Sequence, residues 1–232
     1  MKLGLVKQLD DMQNLPFGDI GVQVKCDPVK IVLKDGAEPY SISVARRVPL
    51  PLMPKVECEL KRMLSDGIIK KVTQPTDWCA PMVRVLKKTS DVRICVGLKR
   101  LNQSVKRECY TCRFLEDVTH KLAGSKVFSK LDATSGFWQI PLDEEMTILT
   151  KFMTPFWYFF TRLSFGISLK PEAFQRTMEN ILQGIKGVVC FMDAVVVSGD
   201  LVEEHDKRLE KVIHYATRAG IKLNKPKCEF QK

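Results

Sequence analysis

The sequence predicts an α+β fold in which an antiparallel sheet is backed by helices. Three observations lead there. Two apolar, β-branched runs, residues 127–132 and 187–199, read as strands, and each carries one carboxylate, Asp132 and Asp193. Stretches with a buried stripe at helical spacing alternate with such strands along the chain. Most prolines and glycines fall at the ends of these segments, as turn and cap signals.

Residues 1–34 mix charged and apolar residues around the turn signals Pro16-Phe17-Gly18 and Cys26-Asp27-Pro28. The short runs 22–24 and 30–33 read equally as strands that extend the domain or as a linker. From Asp35 to Pro54 the prolines favour extended chain. Residues 55–66 place Val56, Leu60 and Met63 on one helix face, and Gly67 stops the helix. Residues 68–72 then read as a strand. A hairpin follows, 82–88 and 92–96, turning at Thr89-Ser90-Asp91. Its cations Lys87, Lys88 and Arg93 are ordinary solvated edge charges on their own.

Phe114, Val118 and Leu122 share a helix face closed by Gly124, and this helix leads into the first carboxylate strand. Period-two alternation puts Val127, Ser129 and Leu131 on one side and Phe128, Lys130 and Asp132 on the other. Asp132 is therefore at a strand end, before a small-residue turn. The run 150–160 is unusually aromatic, residues 171–182 read as a helix with proline in its first turn, and 187–199 as a hairpin with Asp193 at its tip. Burying that lone carboxylate in a valine-rich sheet would cost several kcal/mol, so the tip is the cheaper place. Asp200 is the expected cap of a helix over 201–219, whose stripe includes His205, Leu209 and Val212, with Gly220 ending it. Residues 221–223 are a further strand.

The 232 residues suffice for one large or two-lobed domain, and the net charge of +10 favours a polyanionic partner. The 8 cysteines are scattered through strand-like and helix-like segments, which does not resemble a disulfide framework. Cys109-Tyr110-Thr111-Cys112 has no second pair, and His120, His205 and His214 form no ligand cluster, so no zinc is expected. No stretch has the length of a membrane span and no signal peptide opens the chain, which points to a reducing compartment, cytoplasm or nucleus. Two strand-end carboxylates able to meet on neighbouring strands offer the hard oxygen ligands that a divalent cation and a phosphate substrate share.

Leu131-Asp132-Ala133-Thr134-Ser135-Gly136-Phe137-Trp138-Gln139-Ile140-Pro141-Leu142, Arg162-Leu163-Ser164-Phe165-Gly166-Ile167-Ser168 and Phe191-Met192-Asp193-Ala194 resemble, in this order, the motifs of a reverse transcriptase. The likeness is to the polymerase of gypsy-type LTR retrotransposons and retrovirus-like Pol polyproteins, and runs from about Asp35 to the last residue. It implies a right-hand polymerase: a fingers-like part over 35–113 and a palm-like part over 114–232, with 1–34 as a linker or extension and the thumb absent from these residues. It implies RNA-directed DNA polymerase chemistry, with two Mg2+ ions (or Mn2+) held by Asp132 and Asp193, and Lys227 protonating departing pyrophosphate; Lys227 by itself reads as a surface lysine. Lys87, Arg93, Phe137 and Gly166 become nucleotide-binding residues, Phe137 as a gate against a 2′-hydroxyl; by itself Phe137 reads as a core aromatic. The partners implied are an RNA or DNA template-primer and deoxynucleoside triphosphates, with no membrane, and a thumb or RNase H supplied by another chain.

The chain departs from the family pattern at several places. Ala194 stands where the aromatic-x-Asp-Asp motif has its second carboxylate, and Gly97 where relatives show Asp. Ser164 and Lys170 replace Pro and Ala, and the aromatic run near Trp157 is one residue short. These departures imply an impaired polymerase. The alternative is a catalytically dead, transposon-derived relic or nucleic-acid-binding module.

Overall fold

Strands and helices are interleaved along the chain, and they gather into two units with separate sheets. The computed structural model describes residues 16–20, 23–86, 91–107, 122–154, 158–191 and 194–232. One unit comprises residues 27–108 and 140–170; the other comprises 1–26, 109–139 and 171–232.

In the first of these, helix α1 (Met53–Ser65) buries Val56, Leu60 and Met63. It begins ahead of the expected Lys55 because Pro54 suits the first helical turn, where its missing N–H is not needed. Gly67 follows in the left-handed conformation (φ +63°) and turns the chain into β1 (Ile69–Lys71). Strands β2 (Ala80–Leu86) and β3 (Val92–Val96) form the expected hairpin, in register from Met82 opposite Val96 to Leu86 opposite Val92. Helix α2 (Lys99–Ser104) follows directly.

Two further strands complete this sheet. β5 (Phe152–Met153) runs parallel to β2, and β6 (Tyr158–Phe160) pairs antiparallel with both β1 and β5, giving the order β1-β6-β5-β2-β3. The aromatic run is thus a source of core: Phe152 and Phe160 are fully buried, with ring centroids 5.3 Å apart. Trp157 lies outside the described residues. Buried Val29 and Ile31 also belong to this unit, Val29 bridging to Leu142.

The second unit is built on β4 (Val127–Asp132), β7 (Val188–Phe191) and β8 (Ala194–Gly199), all antiparallel, in the order β4-β8-β7. The expected alternation on β4 holds, with Ser129 and Leu131 buried and Lys130 exposed. Helix α3 (Glu144–Thr147) precedes β5 in the chain; helix α4 (Lys170–Ile181) contributes Phe174 and Gln175 to the β4-β8-β7 unit, and Gln175 Nε2 donates to the Cys190 carbonyl at 2.7 Å. Helix α5 (Val202–Ala219) lays His205, Leu209, Val212, Ile213 and Ala216 against the sheet and ends at Gly220, φ +83°. Asp200 does not cap it: Leu201 is the N-cap residue without a side-chain bond, and the Asp200 N–H instead donates to Glu204 Oε2 at 3.3 Å. The expected helix around Phe114 and Val118 lies outside the described residues.

After Gly220 the chain does more than add the short strand expected at 221–223. It runs back along the free edge of β4, with antiparallel bridges Ala133–Leu223 and Lys130–Glu229 and reciprocal bonds between Phe128 and Lys232. β4 is therefore flanked on both sides, by β8 and by this closing run.

Candidate active site

Asp132 is the last residue of β4, and its register partner on β8 is Ala194. Residues directly opposite on an antiparallel pair have Cβ atoms about 5 Å apart on the same face. The methyl of Ala194 thus occupies the place from which a second carboxylate would face Asp132. Phe191 pairs with Ala194 across the β7–β8 hairpin; Met192 and Asp193 between them lie outside the described residues.

The closing run is shaped around Asp132. Between the bridges Lys130–Glu229 and Ala133–Leu223 it is longer than β4, and the excess is a 3-10 turn, Lys225–Lys227. On either side of that turn the Asn224 N–H donates to the Asp132 carbonyl at 2.8 Å, and the Asp132 N–H donates to Cys228 Sγ at 3.4 Å. Lys227 Nζ stands 3.6 Å from Asp132 Oδ1, with the lysine side chain 65% exposed and the Asp132 side chain only 13%. Burial pushes the Cys228 thiol up from its ordinary value, and the neighbouring Asp132 carboxylate adds to that while the Asp132 N–H opposes it.

Past Asp132 the chain turns through Ser135, left-handed at φ +44°. Buried Gln139 ties this turn to the closing run: its Nε2 donates to the Thr134 and Lys222 carbonyls at 2.7 and 2.8 Å, and its Oε1 accepts from the Lys222 N–H at 2.7 Å. Gln139 was not singled out from sequence. Its signal was a lone amide inside an apolar run, a residue that pays for burial only when every polar atom is bonded. Phe137 is half-buried, its ring 5.3 Å from that of Phe174 and edge-on to it. Gly136 makes this possible, since a Cβ there would stand 2.7 Å from the Phe174 ring.

A second group of expected site residues belongs to the five-stranded unit. Arg93 projects from β3 with its guanidinium 5.2 Å from the centre of the Phe165 ring, and Lys170 Nζ is 4.8 Å from the same centre. The loop carrying Phe165 is fixed by Asn102, which donates to the Gly166 carbonyl at 2.6 Å and accepts from the Ser168 N–H at 2.9 Å. The close approach that Gly166 permits is internal: at φ +108°, a Cβ would lie 2.7 Å from the Val96 carbonyl oxygen. Lys87 lies outside the described residues. The structure thus brings Asp132, Lys227 and position 194 together in one unit, and Arg93 and Gly166 together around Phe165 in the other. Among the described residues no three His, Cys, Asp or Glu cluster as a metal site, and no helix is long and apolar enough to cross a membrane.

Residues 70–232 match the family model described as reverse transcriptase (RNA-dependent DNA polymerase). The chain belongs to the reverse transcriptase family. A similar protein is "Uncharacterized protein K02A2.6" of Caenorhabditis elegans, 33% identical over 80% of this chain and 15% of that one. The transposon Tf2-7 polyprotein of Schizosaccharomyces pombe is 31% identical over 83% of this chain, again 15% of the relative. The chain therefore spans a small part of the relatives it matches, and it is a reverse transcriptase domain similar to regions of retrotransposon Pol polyproteins. In fold it resembles the foamy viral protease-reverse transcriptase solved in complex with an RNA/DNA hybrid, with a TM-score of 0.82, 22% identity and coverage of 97% of this chain and 30% of that one. The α+β architecture is thus that of the fingers and palm of a reverse transcriptase.

Proposed function

We propose that the chain carries the nucleotidyl-transfer centre of an RNA-directed DNA polymerase and that Ala194 leaves this centre impaired. The observation that carries the reading is the pairing of Asp132 with Ala194 in a reverse transcriptase fold. A carboxylate missing directly across the sheet from Asp132 is a local loss, beside a closing run that still bonds to the Asp132 backbone.

Asp132 and Asp193 are the residues that would hold divalent metal. The described half of the site fits such an ion through one hard oxygen donor, the Asp132 carboxylate, to which Ala194 adds none. Mg2+, when bound, would supply charge neutralisation at the triphosphate and lower the pKa of the attacking hydroxyl. The chain's own contributions are positional. In this reading Lys227, beside Asp132 and reaching solvent, gives a proton to an oxygen of departing pyrophosphate. Arg93, fixed over Phe165, offers a guanidinium to triphosphate oxygens. Phe137, its ring braced against that of Phe174, is the residue this reading assigns to exclude a sugar 2′-hydroxyl. An RNA or DNA template-primer is the expected polymer partner, and the net charge of +10 favours it.

A second reading, a template-binding module without catalysis, has one observation in its favour: Lys227 Nζ stands 3.6 Å from Asp132 Oδ1, so the chain's own cation sits at that carboxylate. Primer extension on an RNA template with Mg2+ or Mn2+ decides between them. Extension by the unaltered chain that Asp132→Ala abolishes supports the enzyme; extension only after Ala194→Asp supports an intact scaffold with a lost site. Salt-sensitive template binding without extension in either protein would leave the binding module.

A further inference from the structure

A closed ring of hydrogen bonds lies behind β4, on the face opposite Asp132. His205 of α5 is fully buried; its Nδ1 is 2.8 Å from Asp206 Oδ1 and its Nε2 2.9 Å from Ser129 Oγ. The Gln231 N–H donates to the same Ser129 Oγ at 3.1 Å, and Gln231 Nε2 donates to Asp206 Oδ1 at 3.0 Å. Ser129, His205, Asp206 and Gln231 thus bond in a circle. Proton positions follow from the partners: a carboxylate only accepts, so Nδ1 donates to Asp206, and in the neutral ring Nε2 accepts from the Ser129 hydroxyl.

A serine, histidine and aspartate in series invite comparison with a hydrolytic triad. Ser129 is 1% exposed and His205 0%, so no substrate reaches either. The ring's members show what it does hold. Gln231 is the extra residue of a bulge between the Lys130–Glu229 bridge and the Phe128–Lys232 pair, and it adopts φ +48°, a conformation that side chains disfavour. Both its backbone N–H and its side-chain amide are spent on the ring. With one edge contact broken, a strand that pairs through bulges has no periodic pattern to hold its register.

We propose that this ring is a register lock for the closing run, and that Ser129, His205, Asp206 and Gln231 are positioning residues that keep Lys227 and Cys228 at Asp132. Three links join lock and site: Ser129 and Asp132 share β4; Gln231, Lys227 and Cys228 share the closing run; and the Asp132 N–H to Cys228 Sγ bond reports their register directly. The lock stands on geometry alone, whereas its consequence for catalysis rests on the polymerase reading above.

Cys228 is the reporter for the test. In the full chain, alkylation by N-ethylmaleimide is followed by peptide mapping at Cys228 and at Cys190, buried in β7 of the same unit. The variants are Asp206→Ala, Asp206→Asn and Gln231→Ala. Asp206→Ala and Gln231→Ala should label Cys228 at least about tenfold faster, equivalent to ~1.4 kcal/mol off the cost of opening the closing run, with Cys190 unchanged. Asp206→Asn keeps an acceptor for both ring donors and should restore most of the protection. Unchanged labelling of Cys228 in Asp206→Ala overturns the lock, and so does Cys190 rising in step, which would make the ring a general stability element. A second arm adds Asp206→Ala to the Ala194→Asp protein, where a lower kcat at unchanged KM for the deoxynucleotide is expected. An Ala194→Asp protein that never extends primers sinks the polymerase reading, while the labelling still decides the lock.

Discussion

Position 194 shows how much one side chain can decide. Asp132 and Ala194 are register partners, so Ala194→Asp sets two carboxylates on one face about 5 Å apart. Without metal the like charges repel, and the variant should be less stable than the unaltered chain by about 0.2–1 kcal/mol. A divalent cation that binds the pair at about 100 times its dissociation constant returns ~2.7 kcal/mol. Thermal unfolding with and without Mg2+ should therefore show a lower Tm for the variant in EDTA and a larger Mg2+-dependent rise. A Mg2+ response equal in both proteins would mean that position 194 does not meet the metal. Ser164, another departure from the family pattern, is a plainer case. It is fully buried, and its hydroxyl has no hydrogen-bond partner among the described residues. Ser164→Ala removes an unsatisfied polar group and should stabilise the protein by about 1 kcal/mol in urea unfolding; a loss would reveal a partner for that hydroxyl. Sequence flags Ser164 as a departure but not its burial, which no local pattern records. Lys227 is the converse: by itself it reads as a surface lysine and only the family resemblance marks it, because its place at Asp132 depends on a turn whose register the fold supplies.

At the level of elements, most strands and helices are written in local runs of the sequence. The strand over residues 127–132, the hairpin strands of 187–199, and the helices α1, α4 and α5 all follow from period and from their glycine or proline ends. The closing run 222–232 was legible only in its first residues. The 3-10 turn containing Pro226 and the bulge at Gln231 break its alternation, so its pairing with β4 leaves no two-residue period to find. Helix α3 (capped by Asp143) and α2 are too short to show a face. The ring at His205 was half visible: its place in the buried stripe of α5 was expected, but its partner Ser129 is 76 residues away. The junction of β8 with α5 makes a test at this scale. A Cβ on Gly199 would stand 2.7 Å from the His205 backbone nitrogen, and backbone cannot swing aside as a side-chain tip can. Gly199→Ala should cost ~1–3 kcal/mol of stability in chemical denaturation, through displacement of the first turn of α5. Gly220→Ala, strained by its left-handed φ of +83° but with no atom closer than 3.8 Å to the new methyl, should cost only about 1 kcal/mol. Equal losses at the two positions would mean that the packing of α5 on β8 is looser than drawn.

Across the whole chain, the ordered motifs carried the family and the carboxylate strands carried the fold class, because both are written in short local runs. Charge is the property that belongs to no single element. With a net +10, binding to an RNA/DNA template-primer should release counterions, and the logarithm of the association constant should fall linearly with the logarithm of salt. A duplex contacted at Z phosphates gives a slope of about −0.9Z, so filter binding or fluorescence anisotropy across a salt series counts the contacts. Arg93 separates polymer binding from nucleotide binding within that measurement. The proposed function makes Arg93, over Phe165, a ligand of the incoming triphosphate, and the rival assignment is a template-phosphate contact. Under the rival assignment Arg93→Ala lowers the magnitude of the salt slope by about one. Under the proposed one, expected here, the template slope is unchanged while affinity for a deoxynucleoside triphosphate, measured on the preformed template complex, falls by about tenfold or more, as for loss of a charge-assisted contact worth ~1.5–3 kcal/mol. A variant that lost template slope and kept its triphosphate affinity would move Arg93 from the nucleotide to the polymer, and with it the assignment of the β2–β3 hairpin.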